Sequence, residues 1–138
     1  MKVRQISVFL ENTTGRLAEV TSLLAEGGIN IRAISIADTA DFGILRMIVD
    51  KPDEALGLFK KADYTAKETD VLGVEVKDSP GGLADVMEIF HKENYGIEYL
   101  YASLERTADK AVVIFKTEDV DRGAKILKQY GLDSDFKL

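Results

Sequence analysis

The chain carries its own pattern twice. Glu11-Asn12-Thr13-Thr14-Gly15-Arg16-Leu17-Ala18-Glu19-Val20 aligns with Lys77-Asp78-Ser79-Pro80-Gly81-Gly82-Leu83-Ala84-Asp85-Val86, Gly15 standing against Gly81, with four identities and three conservative exchanges. Further on, Gly28-Ile29 and Ser35 match Gly96-Ile97 and Ser103, and Thr39-Ala40-Asp41 matches Thr107-Ala108-Asp109, all at a spacing two residues longer. That difference places a two-residue gain between the blocks. A period this long exceeds the roughly 20 to 50 residues of a stacked solenoid unit, so each copy is expected to be a small domain: residues 1–69 and 70–138.

Periodicity names the elements of each copy. Ile6, Val8 and Leu10 alternate with Gln5, Ser7 and Phe9, the signature of a strand, and Val74 and Val76 repeat it. After Gly15, the residues Leu17, Val20 and Leu24 form one apolar stripe of a helix that stops at Gly27-Gly28; Leu83, Val86 and Phe90 form its counterpart. Two β-rich runs follow, Ile29 to Ala37 and Ile44 to Val49, joined by a polar turn, with Ile97 to Leu104 and Ala111 to Thr117 in the second copy. A second helix carries Ala55, Leu58, Phe59 and Ala62, and again Gly123, Ile126, Leu127 and Tyr130. Short last strands are expected near Tyr64 to Thr69 and Asp133 to Lys137. The order βαββαβ, written twice, predicts an α+β protein of two tandem ferredoxin-like domains, with antiparallel sheets and helices on one face.

Composition then removes function classes. The 138 residues contain no cysteine, which excludes disulfides, thiol catalysis and cysteine-bound zinc. A net charge of −6 has the wrong sign for a domain that binds nucleic acid by neutralising phosphates. The third-strand run Phe42-Gly43-Ile44-Leu45-Arg46-Met47-Ile48-Val49 also lacks the basic and aromatic residues with which an RNA-recognition module of the same element order stacks bases. No apolar run approaches a membrane span, and the start leads directly into strand-like sequence, so a cytoplasmic protein with no membrane partner is expected. His91 is the only histidine; beside Lys92 and Glu93 it reads as a surface residue, and no metal site or cofactor is implied.

The loop before each first helix carries the chemistry. Asn12-Thr13-Thr14-Gly15-Arg16-Leu17 and Asp78-Ser79-Pro80-Gly81-Gly82-Leu83 each place a polar residue and a glycine at a helix start. Such a start presents unpaired N–H groups and the positive end of the helix dipole, and glycine lets a ligand approach the backbone closely; a carboxylate fits there.

With this loop, and with Gly28-Ile29-Asn30-Ile31 opening the second strand, the chain resembles the ACT family, in the form of a stand-alone tandem ACT protein. The second copy's loop matches the family pattern Asn/Asp-x-Pro-Gly-x-Leu; the first has Thr14 in place of proline. The resemblance implies a non-catalytic regulatory sensor that binds a free amino acid where ACT domains pair. By position, the implied ligand contacts are Asn12, Thr14, Gly15, Leu17 and Asn30 in the first copy and Asp78, Gly81, Leu83 and Glu98 in the second. Backbone donors near Gly15 or Gly81 would hold a carboxylate while Asn12 or Asp78 receives the ammonium group. Because Glu11, Asn12, Arg16 and Asn30 become Lys77, Asp78, Gly82 and Glu98, one strong and one weak or lost site is expected. The alternative is an interaction module that regulates a separately encoded metabolic enzyme, with a vestigial ligand site. Strand Ile44 to Val49 is apolar on both faces apart from Arg46, which predicts self-association into a homo-oligomer.

Overall fold

A computed structural model of the chain describes residues 1–38, 41–133 and 135–138; Thr39 and Ala40, part of the expected hairpin turn, lie outside them. The elements run β1 (Lys2–Glu11), α1 (Arg16–Glu26), β2 (Ile31–Asp38), β3 (Phe42–Val49), α2 (Pro52–Lys61), β4 (Thr65–Lys77), α3 (Gly82–Lys92), β5 (Ile97–Thr107), β6 (Lys110–Thr117) and α4 (Val120–Gln129). They form two compact units, one of Arg4–Thr69 with Leu138, the other of Met1–Val3 with Asp70–Lys137. Strands β1 and β4 therefore each contribute residues to both.

In the first unit β3 lies between β1 and β2, antiparallel to each: Ile6 faces Met47 and Glu11 faces Phe42 on one side, Ile31 faces Val49 and Asp38 faces Gly43 on the other. The alternation read from the sequence turns Ile6, Val8 and Leu10 of β1 and Leu45, Met47 and Val49 of β3 to one face. There they meet Val20 and Leu24 of α1 and Ala55 and Phe59 of α2 in a single core. Pro52 opens α2, where its missing N–H costs no helical bond.

The second unit repeats the plan. Strand β6 pairs antiparallel with both β4 and β5, and Leu72, Val74, Val76, Val113 and Phe115 close over Val86 and Phe90 of α3 and Ile126 and Leu127 of α4. Phe90 sets its ring edge-on to Phe115 with centroids 5.5 Å apart, a favoured aromatic geometry.

The strand expected near Asp133 to Lys137 does not form among the described residues. The backbone it would pair with is taken: Gly73 N–H donates to the Met1 carbonyl at 2.8 Å, and the Met1 ammonium donates to the Gly73 carbonyl at 3.0 Å. Residues of the chain's last stretch cover Gly73 by side chain instead, a Cβ there lying 2.8 Å from the Phe136 ring.

The repeat alignment also shifts. Ile29 N–H donates to the Leu24 carbonyl as Tyr95 N–H donates to that of Phe90, and Ile31 faces Val49 as Ile97 faces Thr117. Ile29 thus corresponds to Tyr95, not Ile97, and the two extra residues are absorbed inside β5, where the register shifts between Ala102 and Arg106. Asn30 consequently corresponds to Gly96, and Glu98 is not its equivalent.

Candidate functional site

The two glycine loops share one backbone geometry. Gly15 and Gly81 precede α1 and α3 at φ +92° and +89°, left-handed values that an L side chain adopts only under strain. The helical bonds begin at Glu19 N–H to the Gly15 carbonyl and at Asp85 N–H to the Gly81 carbonyl, both 3.0 Å. The N–H groups of Arg16 and Gly82 turn back to Thr13 and Ser79 carbonyls at 3.3 and 3.0 Å. Among the described residues no side chain caps either helix, so the amides of Leu17 and Ala18, and of Leu83 and Ala84, form the donor end of each dipole.

The surrounding predicted residues are at the surface. Asn12 and Thr14 are exposed, and Asn12 is fixed by its N–H donating to the Asp41 carbonyl at 3.0 Å; Asp78 N–H donates to the Asp109 carbonyl at 2.7 Å in the same way. Leu17 and Leu83 leave 44% and 38% of their surface exposed beside the loops, although they head an amphipathic helix.

Asn30 and Glu98 are elsewhere. Asn30 N–H donates to Asp50 Oδ1 at 2.9 Å and its carbonyl accepts from Asp50 N–H at 3.1 Å. Asp41 and Asp50 flank β3, so the Asn12 loop and Asn30 sit at opposite ends of that strand, on the order of 30 Å apart at about 3.3 Å per residue. Glu98 is ion-paired with Lys116 at 2.9 Å, at the end of β6 remote from Asp78. Within one unit the loop residues come together, and Asn30 and Glu98 do not join them.

A groove beside the first loop gathers residues outside that predicted set. It encloses about 610 Å³ between β1, the start of α1 and the α2–β4 connection, with Phe9, Phe42, Leu23, Arg16, Glu11 and Tyr64 in its walls. Arg16 contacts Glu19 at 3.2 Å and Glu11 at 3.5 Å, and Tyr64 O–H donates to Glu19 Oε2 at 2.8 Å. The hydrogen bond that Arg16 donates to Tyr64, then the two carboxylates, hold the Arg16 guanidinium above its ordinary pKa; burial, then the Glu19 carboxylate, raises that of Tyr64. The equivalent place in the second unit measures about 300 Å³, with Gly82 for Arg16, Lys77 for Glu11, Lys110 for Phe42 and Leu132 for Tyr64. The signal available in the sequence was this exchange of Arg16 for glycine between the copies. Tyr64 and Phe42 were beyond reach, because they come to the groove from elements distant in sequence from α1.

His91 is exposed on α3, and among the described residues no three histidine, aspartate or glutamate side chains gather as metal ligands. Also among the described residues, no helix is long and apolar enough to cross a membrane.

Comparison with known proteins agrees with this architecture. A crystal structure of protein BT0572 from Bacteroides thetaiotaomicron superimposes with a TM-score of 0.89 at 40% identity, over 96% of this chain and 91% of that one. The ligand-free regulatory subunit of aspartate kinase from Thermus thermophilus shares the fold, with a TM-score of 0.64 at 19% identity over 91% of each chain. The acetolactate synthase small subunit of Buchnera aphidicola subsp. Baizongia pistaciae is 30% identical over 96 residues, 69% of this chain; the match spans 60% of that subunit's length. A family model described as an ACT domain pair matches residues 1–134. With the twofold βαββ plan and its paired glycine loops, that match of nearly the whole sequence establishes that the chain belongs to the family of ACT domain pairs.

Proposed function

We propose that this chain is a non-catalytic regulatory protein that senses a free amino acid, with two ferredoxin-like ACT domains whose sequence repeats span residues 1–69 and 70–138. The observation that carries the reading is the pair of left-handed glycines, Gly15 and Gly81, each opening a helix that no side chain among the described residues caps. A ligand carboxylate there gains N–H donors and the positive dipole end together, and Asn12 or Asp78 stands beside it to receive an ammonium group. Asn30 and Glu98, at the far ends of their strands, reach such a ligand only from another ACT unit. A second copy of the chain supplies one, which makes the active form a homo-oligomer. Family membership supports a regulatory role, as do the names of two similar proteins, a kinase regulatory subunit and a synthase small subunit.

Reversible sensing calls for a dissociation constant between about 1 mM and 1 μM. A thermal-shift screen of the twenty amino acids tests it. A ligand at ~100 times its dissociation constant stabilises by ~2.7 kcal/mol, a rise of several degrees for a chain of this size. A flat screen refutes the sensor.

A flat screen would leave the second reading, an interaction module for a separately encoded metabolic enzyme. The specific feature in its favour is on β5, where Leu100 and Leu104 leave 42% and 66% of their surface exposed, more apolar surface than a strand needs to display to water.

A further inference from the structure

We infer that the groove of the first unit is a second ligand-binding feature of the molecule, a pocket for an amino acid with a large apolar side chain, in which Arg16 takes the carboxylate. The inference rests on the sensor reading and adds to it a site beyond the glycine loops, present in one unit, with a side-chain specificity of its own.

Three observations converge on it. The first is size and lining: about 610 Å³ lies within the range of small-molecule sites, and its walls include Phe9 and Phe42, which leave 46% and 56% of their surface exposed. Two aromatic rings left open at a concavity can gain by covering an apolar guest.

The second is charge. Arg16 has carboxylates at 3.2 and 3.5 Å, so positive and negative groups stand side by side within the groove. A zwitterion carries the same two charges at the same close spacing. The guanidinium has five N–H donors in a fixed fork, and its contacts with Glu11, Glu19 and Tyr64 leave capacity for a ligand carboxylate. Glu11, 62% exposed on its side chain, is placed for the ammonium group. Glu19 is held by Tyr64 as well as Arg16 and keeps the guanidinium in position.

The third is the internal comparison. In the second unit the same place encloses about 300 Å³ and has lost the guanidinium, the aromatic wall and the tyrosine together. The loss of Arg16 there has a steric cause: a Cβ on Gly82 would lie 2.0 Å from the Lys77 carbonyl oxygen, so that loop cannot hold any side chain at the position. One unit has the guanidinium and the rings that such a guest needs, and the other has neither.

Isothermal titration calorimetry on the full chain tests the proposal, with glycine, leucine and phenylalanine as ligands. The wild type is expected to bind leucine or phenylalanine more tightly than glycine. Arg16→Gln should weaken that binding by about tenfold or more, the loss of a charge-assisted hydrogen bond. Phe42→Ala should remove the preference over glycine while glycine itself changes little. Lys110→Ala, at the matching place in the second unit, should leave every affinity within about twofold, by the same conversion. Far-UV circular dichroism confirms that each variant is folded, and Phe42→Ala decides the matter if Arg16→Gln is not. Binding that survives both first-unit variants unchanged overturns the groove and leaves the sensor standing. Failure of all twenty amino acids to bind overturns both.

Discussion

Arg4 joins two carboxylates of the first unit: its guanidinium contacts both Glu68 oxygens, one of them at 3.0 Å, and donates to Asp53 Oδ1 at 2.5 Å. The hydrogen bond from Arg4 is the leading cause that holds both carboxyls below their ordinary pKa. A carboxylate with a depressed folded pKa contributes stability above its unfolded value, near 4, and loses that contribution as the pH falls through the folded value. Comparing wild type with Arg4→Met by urea unfolding should therefore show a stability difference at neutral pH that narrows below about pH 4. All three groups reach solvent, Asp53 most of all, so the difference should also shrink in ~1 M salt. A difference independent of pH would mean that Arg4 acts through packing of its aliphatic stem. Such a triad, with partners 49 and 64 residues distant, has no signature in the linear chain. Arg16 and Gly82 differ in this respect. Their exchange is visible in the sequence, but the carbonyl that forbids a side chain at Gly82 is visible only in the fold.

Elements were more legible than residues, because a helix or strand that buries one face must repeat apolar side chains at its own period. The stripes Leu17-Val20-Leu24 and Leu83-Val86-Phe90, and the alternation of Ile6, Val8 and Leu10, place α1, α3 and β1 correctly. The site of the two-residue gain was misplaced, since the dipeptide Gly-Ile recurs at residues 28–29 and 96–97 and mimics an equivalence. Backbone bonding instead equates Ile29 with Tyr95, and this has a consequence for helix packing. Tyr95 bonds Thr117 at 2.5 Å and donates to the Asp119 carbonyl at 2.7 Å. Its ring occupies space that α4 yields by having Gly123 where α2 has the buried Ala55. A Cβ on Gly123 would lie 2.2 Å from the Tyr95 hydroxyl and 2.4 Å from Leu72. Two glycines in helix interiors should thus respond in opposite directions. Gly57→Ala, with nothing within 4 Å, should stabilise by about 0.5–1 kcal/mol through helix propensity. Gly123→Ala should lose that gain and a further ~1–3 kcal/mol to overpacking. Chemical denaturation of the two single variants checks this, and equal effects would show that α4 has room the geometry denies it.

At the scale of the whole chain, the repeat implies two domains that divide near Thr69 and Asp70, yet the compact units are not two consecutive segments. Met1–Val3 belongs with Asp70–Lys137, and β4 runs unbroken from Thr65 to Lys77. This could not be read from periodicity, because a strand pattern looks the same whichever neighbour its edge meets. The second unit has a specific need for the distant segment. Met1 satisfies both backbone groups of Gly73, and Val3, 9% exposed, packs so close that a Cβ on Gly73 would lie 3.0 Å from it. A fragment of residues 70–138 loses these two backbone bonds, at about 0.5–1.5 kcal/mol each, and a buried valine worth ~1.5–3 kcal/mol. Against a total stability of roughly 5–15 kcal/mol for a whole domain, that is a large share. The fragment should therefore unfold at a clearly lower urea concentration than the same residues within the full chain. Tyrosine fluorescence follows it, since Tyr95, Tyr99, Tyr101 and Tyr130 all lie in the fragment. If the fragment unfolds at the full chain's midpoint, Met1–Val3 adds nothing to the second unit, and the last residues of the chain supply whatever edge β4 requires.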